Sequence, residues 1–392
     1  MTAKKFIICV LIGLTVAFLI VFFSTIKLNS NEDDLANNQS NITEENASDD
    51  DALDATTEEQ TTEEATEITT KEATTEGTTE EDTTAPILTY LSQYPNVAKG
   101  SNFDIHEHIG YADDLDSSPI IKVKGKVNTR KTGSYPIKVI IKDHAGNKLK
   151  QSLTINVYKP ASSSSTSSSY TPNWYKFKKF KKKYKNKNTM LGIDVSRWQN
   201  EIDFEKVAKD GVKFVIMRIG GYDDGELYND KYYAANMRNA KAAGLKVGIY
   251  YHAEESSIAE VKEHVPWIME QLNGEELDFP IAYDWEDFAN FEDYNMSLKD
   301  FNETYIAFDE EVRKYGYEAM LYSSKNYLLS VWNIRNDYPV WLAHYTEQTD
   351  YPGDYFIWQK DCTGKVAGIE TYVDLDVLYK DRYEFKKYPI KD

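Results

Sequence analysis

Asp284 and Glu286 stand two residues apart at the acidic end of an apolar run, Phe279-Pro280-Ile281-Ala282-Tyr283-Asp284-Trp285-Glu286-Asp287-Phe288. On a β-strand, residues i and i+2 share a face, so both carboxylates point one way and Trp285 the other. Two strand rises separate their Cβ atoms by roughly 7 Å. Like charges this close, at the rim of an apolar strand, do not both ionise freely, and one pKa rises. A carboxyl that keeps its proton beside one that has lost it is what glycoside hydrolysis requires. Taken alone, the pair also fits an acidic strand end in solvent. The elements around it decide its meaning.

From Met190 onward, strand and helix patterns alternate. The expected strands are 191–195, 214–219, 246–252, 280–284, 318–322, 339–343, 355–359 and 372–375. Helices are expected over 203–209, 230–243, 256–272 and 298–315, with Gly211, Gly244 and Gly316 as stops. Roughly 200 residues with eight apolar strands read as an α/β fold, a (β/α) barrel. Polar residues gather at the C-terminal ends of the strands, where such barrels place their chemistry: Asp194, His252, and Asp284 with Glu286, while Asp374 lies in the last strand. Tyr251, Tyr322, Trp341 and Trp358 sit at the same rim and are expected to form substrate-binding walls. A cleft of carboxylates and aromatic faces suits a sugar polymer. Trp198 and Trp285 read as core, His252 and His344 as packed or hydrogen-bonded side chains, and Cys362 as a bland thiol.

The stretch Gly192-Ile193-Asp194-Val195-Ser196-Arg197-Trp198-Gln199 resembles the opening signature of glycoside hydrolase family 25, the Chalaropsis-type lysozymes. Phe214–Arg218, Gly248–His252, Tyr283–Glu286, Trp341–Tyr345 and Ile357–Gln359 match the family in order. Val373-Asp374-Leu375-Asp376 resembles its closing signature, although Asp376 stands where the family often has Asn. The resemblance implies a barrel of five β/α units plus three closing strands. It also implies an N-acetylmuramidase that cuts the β-1,4 bond between N-acetylmuramic acid and N-acetylglucosamine in peptidoglycan. Carried over residue by residue, Glu286 is the general acid. Asp284 orients the substrate's 2-acetamido group, and Asp194 and Asp374 bind substrate and tune the charge. A carboxylate nucleophile and an inverting water remain open alternatives. The resemblance calls for no metal and no cofactor. Competing readings are a wall-binding or adhesive protein that holds glycan without cutting it, and a chitinase-like hydrolase.

The rest of the chain reads as delivery. Of 392 residues, the net charge is −19, which argues against a nucleic-acid partner. Two distant cysteines, Cys9 and Cys362, provide no disulfide framework and no cysteine metal site. Phe6–Ile26 carries no charge and is long enough to span a bilayer, with Lys4 and Lys5 before it. Residues 1–27 are therefore expected to be a cytoplasmic stub and a transmembrane helix, leaving the bulk outside and facing the cell wall. A cleaved signal peptide and a secreted protein are the alternative. Residues 28–84, rich in Thr and Glu, are expected to be a disordered acidic spacer. Residues 85–158 alternate in short runs between glycine turns and read as a small antiparallel all-β sandwich. Within it, Gly133-Ser134-Tyr135 and Asp143-His144-Ala145-Gly146-Asn147 resemble bacterial immunoglobulin-like surface modules. Asp113, Asp114 and Asp116 have the makings of a calcium loop, but the reading preferred is a solvated acidic loop. Residues 159–189 read as a Ser-rich then Lys-rich linker, and residues 190–392 as the barrel domain. Eight lysines between Lys176 and Lys187 suggest either a solvated charge run or a patch for anionic wall polymers. Docking on the acidic spacer is a further possibility.

Overall fold

The computed structural model describes residues 81–160, 173–333 and 338–390. The apolar stretch Phe6–Ile26, the acidic spacer up to residue 80 and the serine run Ala161–Ser169 lie outside the described residues. Among those described, no helix is long and apolar enough to cross a membrane.

The N-terminal module is built from alternation. β1 (Ile87–Leu91) pairs antiparallel with β3 (Ile109–Ala112). β2 (Asn96–Ala98), β6 (Lys148–Tyr158), β5 (Gly133–Lys142) and β4 (Ile120–Lys124) form the facing four-stranded sheet in that order. Ile137, Val139 and Ile141 point inward from β5 and meet Leu153 and Ile155 of β6, while Lys138 and Lys142 stay in solvent. This is the period of two expected of a half-buried sheet. One pairing departs from the antiparallel expectation, because β2 runs parallel to β6.

β7 (Tyr175–Lys176) and α1 (Phe177–Tyr184) come next, and they correct the reading of 173–189 as linker. β7 pairs parallel with a barrel strand. Phe177 and Phe180 are buried in the barrel's outer core, and the Tyr184 ring meets Trp358 edge-on. The aromatics recur at i, i+3 and i+7, so they share one helix face. Lys181 is half-buried and donates to the Asp210 carbonyl, and Lys183 pairs with Glu347. Lys178, Lys179 and Lys182 remain exposed on the other side.

The barrel strands are β8 (Thr189–Val195), β9 (Phe214–Asp223), β11 (Lys246–Ala253), β12 (Ile281–Trp285), β13 (Ala319–Ser324), β14 (Val340–Ala343), β15 (Ile357–Lys365) and β16 (Val373–Tyr379). Five helices alternate with the first six: α2 (Phe204–Asp210), α3 (Tyr233–Ala242), α4 (Ile258–Leu272), α5 (Leu298–Arg313) and the short α6 (Lys325–Ser330). β10 (Glu226–Asn229) folds back on β9 as a hairpin arm. β8 pairs parallel with β9 and antiparallel with β16, which closes the eight strands into a ring. Only β16 runs against the others.

Caps set the helix ends. Asp203 accepts from the Lys206 amide and Ser257 from the Glu260 amide, while Ser297 and Asp300 form a reciprocal capping box. Gly211 takes φ 116° to stop α2. Strand alternation then sorts the core into two layers. Phe214, Ile216, Ala282, Met320, Trp341, Ile357 and Leu378 fill the barrel interior. Val215, Met217, Ile281, Leu321, Leu342 and Val377 pack outward under the helices.

Candidate active site

Register gathers the carboxyls at one end of the barrel. Asp194 of β8 lies directly opposite Asp374 of β16. Asp284 of β12 is level with His252 on one side and Tyr322 on the other, and Trp341 continues the row. Asp194 and Asp284 are buried and Asp374 is half-buried. Glu286 follows the last residue of β12, and its side chain is open to solvent at the mouth. Electrostatic repulsion links Asp194, Asp284, Asp374 and Glu286, so the four predicted carboxyls belong to one site. A fifth, Asp376, is fully buried on the same strand as Asp374.

A hydrogen-bond chain orients Asp194. The Tyr322 and Tyr345 hydroxyls both donate to Gln359 Oε1, at 2.9 and 2.8 Å. With its carbonyl so occupied, Gln359 turns its Nε2 toward Asp194 Oδ2, 2.9 Å away. Trp341 Nε1 donates to Asp376 Oδ1 at 3.0 Å. Opposite them, Arg218 is buried and paired with Asp230 at 3.0 Å. The same Asp230 oxygen accepts from the Arg197 amide, and its mate accepts from the Tyr232 amide. The Tyr228 ring, carried in by β10, lies against both guanidinium groups.

Burial is the main cause of every proton shift here. It raises the Asp194 carboxyl well above the ordinary range, and repulsion from Asp376 adds to it. Asp376 is raised as well, first by burial and then by Asp374, and its Oδ2 has no hydrogen-bond partner. Asp374 is also raised, first by burial and then by Asp194. Asp284 is raised by burial, then by Glu286 and Asp194, with Arg218 opposing; its Oδ1 has no hydrogen-bond partner. Solvent reaches Glu286, but the surrounding walls leave its carboxylate poorly hydrated, which pushes its pKa up to about 7. His252 goes the other way. Burial and then Arg218 and Arg197 lower it to about 3, so it is neutral near pH 7. The site therefore carries a proton on a solvent-accessible carboxyl near neutrality, beside carboxyls that repel one another.

The aromatic expectations divide by strand parity. Tyr322 and Trp341 face the interior, yet both are buried and spend their polar atoms on Gln359 and Asp376. They position carboxyl-bearing neighbours and do not offer open faces. Tyr251 and Trp358 face outward, away from the site. Tyr251 donates to Glu255 at 2.7 Å and stacks on Phe308, and Trp358 Nε1 donates to the His344 carbonyl at 2.8 Å. Each is one residue out of phase with an inward neighbour: Tyr250 with Tyr251, and Gln359 with Trp358. Trp198, expected in the core, is 54 % exposed on a 3₁₀ turn at the rim, with Arg197 over its ring. Trp285 is fully buried as expected, ringed edge-on by Phe288, Phe291, Tyr294 and Phe301. Residue types and spacing gave no role to Gln359, Tyr345, Tyr250 or Arg218; inward parity on strands already located would have found Gln359, Tyr250 and Arg218, whereas Tyr345 lies in the loop after β14. Among the described residues, the group of carboxyls close enough to hold a metal ion is Asp82, Asp113 and Asp143, in the N-terminal module and not at this mouth.

The profile of Glycosyl hydrolases family 25 matches residues 193–369, and that of the Bacterial surface protein, Ig-like domain, matches residues 92–157. The Uncharacterized protein YegX of Escherichia coli (strain K12) is 30% identical over 197 residues, covering 48% of this chain and 70% of YegX. The Autolytic lysozyme of Clostridium acetobutylicum is 27% identical over 189 residues, 48% of this chain and 55% of that protein. Among solved structures, a family 25 glycosyl hydrolase from Bacillus anthracis aligns with a TM-score of 0.43 and 24% identity, covering 50% of this chain and 89% of that one. The profile match takes in Asp194, Asp284 and Glu286, and together with the relative that is 30% identical over 70% of its own length it places the chain in Glycosyl hydrolases family 25: the chain belongs to that family.

Proposed function

We propose that the barrel is a muramidase: it hydrolyses the β-1,4 bond between N-acetylmuramic acid and N-acetylglucosamine in peptidoglycan. The observation that carries this reading is Glu286, a mouth-facing carboxyl that holds its proton up to about pH 7 beside the buried Asp284. Membership of the family supports it, as does similarity to a protein named an autolytic lysozyme. Glu286 gives its proton to the glycosidic oxygen as the C1–O bond breaks. The carbonyl oxygen of the substrate's own 2-acetamido group attacks C1, and an Asp284 carboxyl oxygen accepts from the acetamido N–H. Glu286, now a carboxylate, takes a proton from water. That water opens the cyclic intermediate at C1 and leaves the configuration retained. Asp194 and Asp374 bind sugar hydroxyls.

The test is digestion of purified peptidoglycan by the full chain beside Glu286→Gln. New N-acetylmuramic acid reducing ends from the unmodified chain alone are expected. N-acetylglucosamine ends would change the bond, and wall binding without cleavage would replace the enzyme with a glycan-binding protein.

Phe6–Ile26 is the basis for the second part of the proposal, a single-pass anchor with the barrel outside and facing the wall. The acidic spacer gives reach, and the exposed lysines of α1 offer a contact for anionic wall polymers. Tethering would confine cutting to a zone near the membrane, which suits local remodelling. Recovery of the protein from washed membranes is expected. A soluble form lacking residues 1–30 in the culture supernatant would overturn the anchor.

A further inference from the structure

The loop Asp113–Asp116, expected to be a solvated acidic turn, is not one. Asp113 is 1% exposed, and so is Asp143 from the turn between β5 and β6. One carboxylate oxygen from each of Asp82, Asp113 and Asp143 lies within 4.8 Å of the other two. Each buried carboxylate commits one oxygen to its own turn. Asp113 Oδ1 accepts from the Leu115 and Asp116 amides, and Asp143 Oδ1 from the Gly146 and Asn147 amides. The other oxygens, Asp113 Oδ2 and Asp143 Oδ2, are buried with no hydrogen-bond partner. Neighbouring Asp114 also has a buried Oδ1 without a partner. Among the described residues, no lysine, arginine or histidine pairs with Asp82, Asp113 or Asp143. The nearby His144 is engaged by Asp116.

Orphaned carboxylate oxygens this close are costly to bury, because desolvation and mutual repulsion act together. We propose that Asp82, Asp113 and Asp143 form a divalent-cation site whose ligand is calcium. The donor set is all oxygen, which selects a hard cation. Two calcium–oxygen bonds of about 2.3–2.6 Å reach across the full 4.8 Å limit of these separations, whereas magnesium, at about 2.0–2.1 Å, needs the oxygens closer. The ion would join three separate segments: the lead into β1, the loop after β3, and the β5–β6 turn. It would also stiffen the junction with the barrel, since the Asp113 and Asp114 carbonyls accept from the Leu298 and Lys299 amides at the start of α5. This site is independent of the muramidase reading and makes no contact with the barrel mouth.

The test is calorimetric titration of the full chain with calcium chloride after chelator treatment, with magnesium as comparison. One calcium per chain is expected, with Kd on the order of 10⁻⁵–10⁻³ M, and weaker magnesium binding. Asp113→Asn and Asp143→Asn should each weaken calcium at least tenfold, while Asp104→Asn, on the exposed surface of the same module, should not. Hydrogen exchange on the unmodified chain provides a readout that needs no variant: calcium should slow exchange in segments 113–118 and 143–147. Absence of binding at 10-fold the upper Kd, binding that survives both substitutions, or unchanged exchange in both segments would each overturn the site.

Discussion

At the scale of single residues, the general-acid role proposed for Glu286 fixes how activity should depend on pH. Its folded pKa, about 7, means that the acid form predominates below neutrality. Activity should therefore fall as pH rises through about 7, seen as the alkaline limb of kcat/KM. Glu286→Gln should abolish that limb and lower kcat by about 10²–10⁴-fold, the range of a lost general acid. Asp376 makes the opposite kind of prediction. Its folded pKa is raised by burial and by Asp374, so its proton stabilises the fold at low pH. That stability is lost as pH rises through the folded value, where an unneutralised charge is left inside. Asp376→Asn keeps an oxygen for Trp341 Nε1 and removes the charge. Its melting temperature should exceed that of the unmodified chain by a margin that grows with pH, measured by calorimetry from pH 5 to pH 9. No gain at pH 9 would mean that the buried carboxyl is neutralised by some other group.

At the scale of elements, what was legible depended on how local the signal was. All eight barrel strands were readable from apolar runs and glycine stops, because strand burial writes itself into five or so consecutive residues. Asp194, Asp284 and Glu286 were readable as strand-end acids for the same reason, whereas Asp374 stands at the start of the antiparallel β16 and was legible only through the family resemblance. Tyr251 and Trp358 were misplaced because nearness to a strand end was weighed above parity. The lysine run was misread because its charge masked a shorter signal, Phe177, Phe180 and Tyr184 on one helix face. That face is a stability element. Phe177→Ala or Phe180→Ala should destabilise the barrel by about 3–5 kcal/mol each, the usual cost of emptying a buried ring site. Urea unfolding would measure it. Lys178→Ala and Lys179→Ala, on the exposed side, should leave the midpoint unchanged while weakening any adsorption to anionic wall polymer.

At the scale of the whole molecule, the immunoglobulin-like module reaches the turn that follows the acid. Residues Phe288–Tyr294 form a 3₁₀ segment directly after Glu286, and β1 and β3 of the module pack on it. Gly110 of β3 marks the tightest point: a Cβ there would lie 2.5 Å from the Phe288 carbonyl oxygen and 2.9 Å from that of Ala289. Around it, His106 meets Glu292 at 2.9 Å, and the α5 amides of Leu298 and Lys299 are held by Asp113 and Asp114. None of this was visible in the sequence, since contacts between residues near 110 and residues near 290 leave no local pattern. The arrangement places the module as a brace against the turn that follows Glu286. Gly110→Val should push the turn away and displace Glu286, and displacements near 1 Å can cost up to about 100-fold in rate. The loss should fall on kcat more than on KM, because the turn carries Glu286, whereas Asp194 and Asp374 lie on β8 and β16, which this turn does not follow. Hydrogen exchange should quicken over 288–294, and Lys138→Ala on the module's exposed face should do neither. A Gly110→Val chain that keeps full turnover despite faster exchange in that turn would show that Glu286 is held by the barrel alone.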